Sequence, residues 1–263
     1  MIDEAQREQL REEGFCIFPG ALSGRDLDRA RTGLDHGIAV TERTLGTTHI
    51  PSLDPNAANI RINNLPAIDP IFIELLLRQD ALDAVRAVLG EHILVSNFTA
   101  NIALPGSGSM KLHSDQALTV PPPWPHPWAC NIIWCLDDVT EANGATRYLP
   151  QSHRFRSLED VPADAIDATL PFEAPAGSFI VMEGRLWHTS GKNTTSDERR
   201  RMMFAYYSSD FIRQQMNWAF TLPAEVQAEM SRAARHLFGL APMGNTRIGA
   251  QLTTLDDGAH QRA

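Results

Sequence analysis

Near residue 92 the hydrophobic pattern of this chain changes period, and that change limits what it can fold into. Before it, apolar residues recur at helical spacing behind clear start signals. Residues 3–13 are polar and helix-like, and Ser23 followed by Asp26 opens a second helix that runs through the late 30s. Asp69-Pro70 opens the apolar helical region 71-IFIELLLRQDALDAVRAVLG-90, which Gly90 stops. Only 14-GFCIFPG-20 reads as a strand there, and 41–58 reads as a loop. After the change come short runs rich in β-branched and aromatic residues: ILVSNFTANIAL, ACNIIWCL, GATRYL, GSFIVM and RMMFAYYSS. Gly, Pro and Asp-Asp turns separate them. The stretch 121-PPPWPHPW-128 is too proline-rich for a central strand and is expected to be a stiff aromatic loop. A last helix spans 223-PAEVQAEMSRAARHLFG-239. Helices first and strands after predict an α+β fold with a sandwich or barrel core.

At 263 residues the chain can bury a substantial core, and no repeat or low-complexity stretch divides it. A single domain over 1–263 is therefore expected, with a helical part over 1–91, a β core over 92–212 and a helical tail over 213–263. No apolar run approaches the ~20 residues that span a membrane, and MIDEAQREQLREEG lacks the apolar centre of a signal peptide. A net charge of −9 speaks against nucleic acid as the main partner. Cys16, Cys130 and Cys135 form no disulfide framework and no CxxC pair, which fits buried thiols in a reducing cytoplasm. A soluble protein acting on a small molecule is the resulting expectation. Whether it forms a homo-oligomer stays open.

The chemistry gathers around 112-LHSDQ-116. Residues i and i+2 of a strand share a face, so His113 and Asp115 can converge on one object. Alone, the pair reads as a strand-end histidine bonded to an acid. A second histidine, His188 in 187-WHTSGKN-193, follows another apolar strand that a barrel can place alongside. Two imidazoles and one carboxylate on one face of a metal make the facial triad of non-haem Fe(II) oxygenases. The arginines opening 199-RRRMMFAYY-207 offer planar forks for a carboxylate. Arg199 and Arg201 share one strand face and Arg200 takes the other.

The ordered set 112-LHSDQ-116, 132-IIWCLDDVTEANGATRYLPQSHR-154 and 187-WHTSGKNTTSDERRRMMFAYY-207 resembles the phytanoyl-CoA dioxygenase family. The likeness reaches back to 12-EEGFCIFPGALSGRDLDRAR-31. Within that family the sequence is similar to fungal and bacterial members that tailor terpenoids and alkaloids.

The resemblance implies a double-stranded β-helix (jelly-roll, cupin-like) core with flanking helices, and a dioxygenase using Fe(II), 2-oxoglutarate and O2. It implies His113, Asp115 and His188 as iron ligands. Arg199, or Arg200 after a one-residue shift, would bind the distal carboxylate of 2-oxoglutarate. Thr146, Arg61 and Ser190 would assist. Asn131 and Ile133 on one strand, with Ala205 and Tyr207 on another, are the expected substrate contacts, and Trp124 and Trp128 could form a lid. One departure is visible: where the family has Pro-Gly-Ser-His this chain has 150-PQSH-153, so Gln151 lacks glycine's backbone freedom and His153 reads as structural. The expected reaction is hydroxylation or desaturation of a mid-sized apolar molecule, a terpenoid or other product of secondary metabolism. Two rivals use the same residues: a zinc hydrolase or lyase, and a non-catalytic ligand-binding barrel.

Overall fold

The computed structural model describes residues 2–241 together with 247–248 and 251–252. Helix α1 (Glu4–Glu13) starts under Asp3, whose carboxylate accepts from the Gln6 N–H, and it stops at Gly14. The chain then forms strand β1 (Phe15–Phe18). Helix α2 (Gly24–Leu45) begins on the Ser23 hydroxyl and runs past the late 30s, because nothing in 39–45 breaks a helix before Gly46 turns left-handed. The expected loop is correspondingly shorter and ends in β2 (Asn59–Ile62). The apolar region divides at Leu77–Arg78 into α3 (Pro70–Leu76) and α4 (Gln79–Leu89).

The strands that follow are β3 (Ile93–Ala103), β4 (Ala129–Cys135), β5 (Thr146–Tyr148), β6 (Leu170–Pro171), β7 (Phe179–Glu183), β8 (His188–Ser190) and β9 (Arg200–Ser209). The tail is not one helix. It forms α5 (Trp218–Thr221), α6 (Ala224–Glu229) and α7 (Arg232–Leu237), because Ser231 caps a new start by accepting from the Ala234 N–H. Most of the expected tail beyond residue 241 lies outside the described residues, except a two-stranded pairing of Arg247–Ile248 with Gln251–Leu252.

The major sheet is antiparallel with order β1-β7-β4-β9-β3-β2, and the minor sheet has order β6-β5-β8. Both edges of the major sheet come from the part of the chain expected to be helical. Between the sheets lies an inner core of Phe15, Ile133, Phe172, Ile180, Met182, Leu186 and Met202. On the outer face of the major sheet a larger core includes Leu34, Phe72, Val95, Phe98, Val181, Ala205, Tyr207 and Trp218. The result is a double-stranded β-helix with flanking helices, in the α+β class. Cys130 belongs to the outer core and Cys135 to the inner, as their spacing in one strand requires. Among the described residues no helix is long and apolar enough to cross a membrane.

The proline-rich loop is anchored by Trp124, whose indole N–H donates to the Val120 carbonyl at 2.7 Å inside a cluster with Leu149 and Trp187. Gln151 keeps the turn that glycine usually makes, with φ 62 and ψ 2. That conformation costs an L-residue about 1–2 kcal/mol. Its Nε2 donates to the Glu12 carbonyl at 3.0 Å, which ties the turn to the end of α1.

Candidate active site

His188 lies on β8, whereas His113 and Asp115 come from the segment between β3 and β4, outside any regular strand. The His113 N–H donates to the His188 carbonyl at 3.0 Å and the His188 N–H returns to the His113 carbonyl at 2.8 Å. This closed antiparallel pair extends the minor sheet and sets the two imidazole centres 4.4 Å apart. Each ring has its Nδ1 beside a carbonyl, Lys111 O at 2.8 Å for His113 and Leu186 O at 2.9 Å for His188. A carbonyl only accepts, so the proton sits on Nδ1 and each Nε2 keeps a free lone pair. Those lone pairs face Asp115 Oδ1, at 3.9 Å from His113 and 3.7 Å from His188. The candidate ligand atoms all lie within 4.8 Å of one another. Asn131, on β4, donates its Nδ2 to Asp115 Oδ2 at 2.9 Å and fixes the carboxylate's orientation. Burial lowers the His188 pKa to about 4 against the opposing pull of Asp115. The imidazole is therefore neutral, as a metal requires. Two imidazoles and one carboxylate on one side fit a divalent ion with its other side open.

The triad opens on a cavity of about 240 Å³. Arg200 lies in its wall and is wholly buried. Its Nη1 and Nη2 donate to the carbonyl and the Oδ1 of Asn101, each at 3.2 Å. Its Nε and the Nδ2 of Asn101 are buried donors with no partner. No carboxylate among the described residues lies within ion-pair distance of this guanidinium. Burial lowers its pKa to about 10, which still leaves it charged near neutrality. Arg61 also reaches the cavity, but Asp54 already holds it bidentately at 2.7 and 3.1 Å. Thr146 and Ser190 are register partners between β5 and β8, and both line the cavity. Ser190 Oγ accepts from the Met110 N–H at 2.9 Å.

Three expected positions on the β9 segment fall elsewhere. Arg199 precedes the strand, is half exposed and lies 3.8 Å from Asp35, outside the cavity. Ala205 and Tyr207 point to the outer core, where the Tyr207 hydroxyl donates to the Leu76 carbonyl at 3.1 Å. Strand alternation gives the cavity Arg200, Phe204 and Tyr206 instead. On β4, Asn131 lines the cavity, whereas Ile133 lies deeper in the inner core. Trp128 packs edge-on against Phe211, and neither tryptophan of the proline-rich loop lines the cavity. Sequence reasoning missed Asn101, Asn97, Thr99 and Gln215. The alternation of Asn97, Thr99 and Asn101 with apolar neighbours in 93-ILVSNFTANIAL-104 is the signal that could have found the first three.

Residues 10–202 match the family described as phytanoyl-CoA dioxygenase (PhyH). Dioxygenase af480 of Aspergillus fumigatus is 44% identical over 243 residues, covering 92% of this chain and 78% of that protein. Multifunctional dioxygenase prhA of Penicillium brasilianum is 29% identical over 253 residues, covering 88% and 80%. Among solved structures, HygX from Streptomyces hygroscopicus, with nickel and 2-oxoglutarate bound, superposes with a TM-score of 0.66 at 16% identity. That superposition covers 81% of this chain and 90% of HygX, and shows the fold.

Proposed function

Since this chain belongs to the phytanoyl-CoA dioxygenase family, a dioxygenase family whose members use Fe(II), 2-oxoglutarate and O2, we propose that it hydroxylates or desaturates a mid-sized, largely apolar small molecule. Bound iron and 2-oxoglutarate supply the oxidising chemistry, in which decarboxylation of the cosubstrate to succinate is coupled to attack on a C–H bond. The protein's residues do the rest. His113, Asp115 and His188 hold the metal from one side. Asn131 keeps Asp115 turned toward it. Arg200 takes the distal carboxylate of 2-oxoglutarate, with Asn101 Nδ2 as a second donor and Thr146 and Ser190 alongside. Arg61 stays with Asp54 as a paired unit in the cavity wall. Phe204 and Tyr206 close the apolar side and exclude water.

The observation that carries this reading is the buried Arg200 guanidinium without an acidic partner. An isolated buried charge is costly, so a site that keeps one is built for an anion that arrives with the ligand. A zinc hydrolase with the same triad has no use for that cradle. The test is succinate release with O2 and 2-oxoglutarate. Arg200→Met is expected to raise the KM for 2-oxoglutarate by on the order of 100-fold, as loss of one partner from a buried charged hydrogen bond does. Arg199→Ala is expected to stay near wild type. The reverse ranking would overturn the assignment.

A further inference from the structure

The substrate half of the cavity differs from the cosubstrate half in the kind of unpaired group it presents. Around Arg200 the unpaired atoms are donors, Arg200 Nε and Asn101 Nδ2, which suit an anion. Elsewhere in the lining they are amide carbonyls, Asn131 Oδ1 beside the triad and Asn97 Oδ1, both buried. Asn97 Nδ2 donates to Gln215 Oε1 at 3.2 Å. Either way that amide is turned, one of its polar ends has no protein partner.

Asn97 faces the cavity because of a defect in the sheet. The pairing of β3 with β9 slips between Val95 and Asn97, so Val95 lies opposite Tyr207 and Asn97 opposite Tyr206. Residues i and i+2 normally share a face, yet here Val95 packs in the outer core and Asn97 lines the cavity. Such a bulge re-aims a side chain, and bulges gather beside active sites. The extra residue, Ser96, also holds the segment that carries Gln215. Its Oγ accepts from the Gln215 N–H at 2.9 Å and its carbonyl from the Met216 N–H at 3.0 Å. One bulge therefore places both amides in the cavity wall.

The ionisable groups in the cavity wall are all accounted for. Arg61 is paired with Asp54, Arg200 faces the cosubstrate, and His113, Asp115 and His188 form the triad. The Tyr206 hydroxyl donates to the Asp115 backbone carbonyl at 3.3 Å and lies 3.2 Å from the Thr119 hydroxyl. Among the described residues of the wall, no charge is left over for a charged substrate. Leu53 and Leu118 line the cavity and are 49% and 68% exposed, so they present apolar surface where it meets solvent.

We infer that Asn97 and Gln215 form a specificity-determining pair, which takes a hydroxyl of an uncharged substrate while Leu53 and Leu118 grip its hydrocarbon body. The inference rests on the oxygenase reading of the same site. It assigns the substrate to neutral, hydroxylated, otherwise apolar molecules and disfavours acyl-CoA thioesters, whose phosphates would meet no unpaired cation besides Arg200 among the described residues lining the cavity.

The test uses the full chain loaded anaerobically with Fe(II) and 2-oxoglutarate, and five probes on one skeleton. They are decalin, decahydro-2-naphthol, the corresponding carboxylate, the corresponding amine, and the CoA thioester of the acid. Equilibrium dialysis reads binding directly. The alcohol is expected to bind about tenfold or more tightly than the other four, the scale of one well-made hydrogen bond. Asn97→Leu is expected to erase the alcohol-over-decalin ratio. Asn97→Asp, nearly identical in shape, is expected to bring the amine above the alcohol. Equal or tighter binding of the carboxylate or thioester, binding of none of the five, or a ratio that survives Asn97→Leu would overturn the inference. The visible band of the iron–2-oxoglutarate chelate, recorded before any probe is added, reports on the cosubstrate reading separately.

Discussion

Residues in this protein do different work according to whether a polar group is buried with or without a partner. Asn131 is half satisfied, bound to Asp115 through Nδ2 and open at Oδ1. His153 is buried at a distance from the triad, with Nε2 3.2 Å from the Arg11 carbonyl and its ring packed against Gly14. A Cβ at Gly14 would meet that ring at 2.7 Å, so the glycine is needed for contact as well as for its φ of +78. Burial lowers the His153 pKa below its ordinary 6.5. Glu183 and the Arg11 carbonyl pull the other way, and Arg154 and Arg185 add to the lowering. The unfolded chain therefore takes up this proton first as the pH falls. The His153 contribution to stability is complete above pH 6.5 and is lost as the pH drops from there through the lowered folded value. Urea midpoints at several pH values between 7.5 and 5 should show this fall, and His153→Gln should lessen it, leaving the share contributed by the buried His188. An equal slope in the variant would place the acid sensitivity elsewhere.

At the scale of elements, β9 explains most of what the sequence made legible and what it did not. The pattern change at residue 92 can be read from period and the proximity of His113, Asp115 and His188 from motif and strand order, whereas Thr146 and Ser190 enter through the family resemblance. Strand parity cannot be read from three consecutive arginines, since each is chemically suited to the site. Arg199, Ala205 and Tyr207 share one parity, and a single wrong choice of face displaced all three from the cavity. What decides the face is a long-range contact. Asp137, after β4, accepts from the Arg201 backbone N–H at 2.9 Å, from its Nε at 2.9 Å and from its Nη2 at 2.6 Å. With Arg201 pinned outward, Arg200 must point inward. Removing Asp137 leaves a largely buried arginine unpaired, so Asp137→Ala should destabilise the protein by roughly 2–4 kcal/mol. It should also raise the KM for 2-oxoglutarate through the loosened start of β9. Denaturant melts together with succinate assays test both effects, and an unchanged KM would show that β9 holds Arg200 without the pin. The bulge at Ser96 was invisible for the same reason: its cause is a pairing slip against β9 and not a local breaker.

For the whole molecule, the two cores on either side of the major sheet divide the labour. The outer core against the helices carries stability, and the inner face carries the site. Phe72 is fully buried in the outer core, with its ring 6.0 Å from that of Phe98. Phe72→Ala should cost about 3–5 kcal/mol, which for a chain of this size lowers Tm by roughly 6–15 °C. Its affinity for metal and cosubstrate should stay near that of wild type, since no cavity residue is touched. A matched loss of affinity would show that the layers are not separable. His113, Asp115 and His188 are proposed to hold the metal and the buried Arg200 to bind 2-oxoglutarate. Anaerobic titration with Fe(II) and 2-oxoglutarate, followed through the weak visible charge-transfer band of the chelate, tests this assignment most directly. The band should appear in wild type and in Arg199→Ala, vanish in His188→Ala, and need far more 2-oxoglutarate in Arg200→Met. Absence of the band in wild type, with tight zinc binding in its place, would contradict the account.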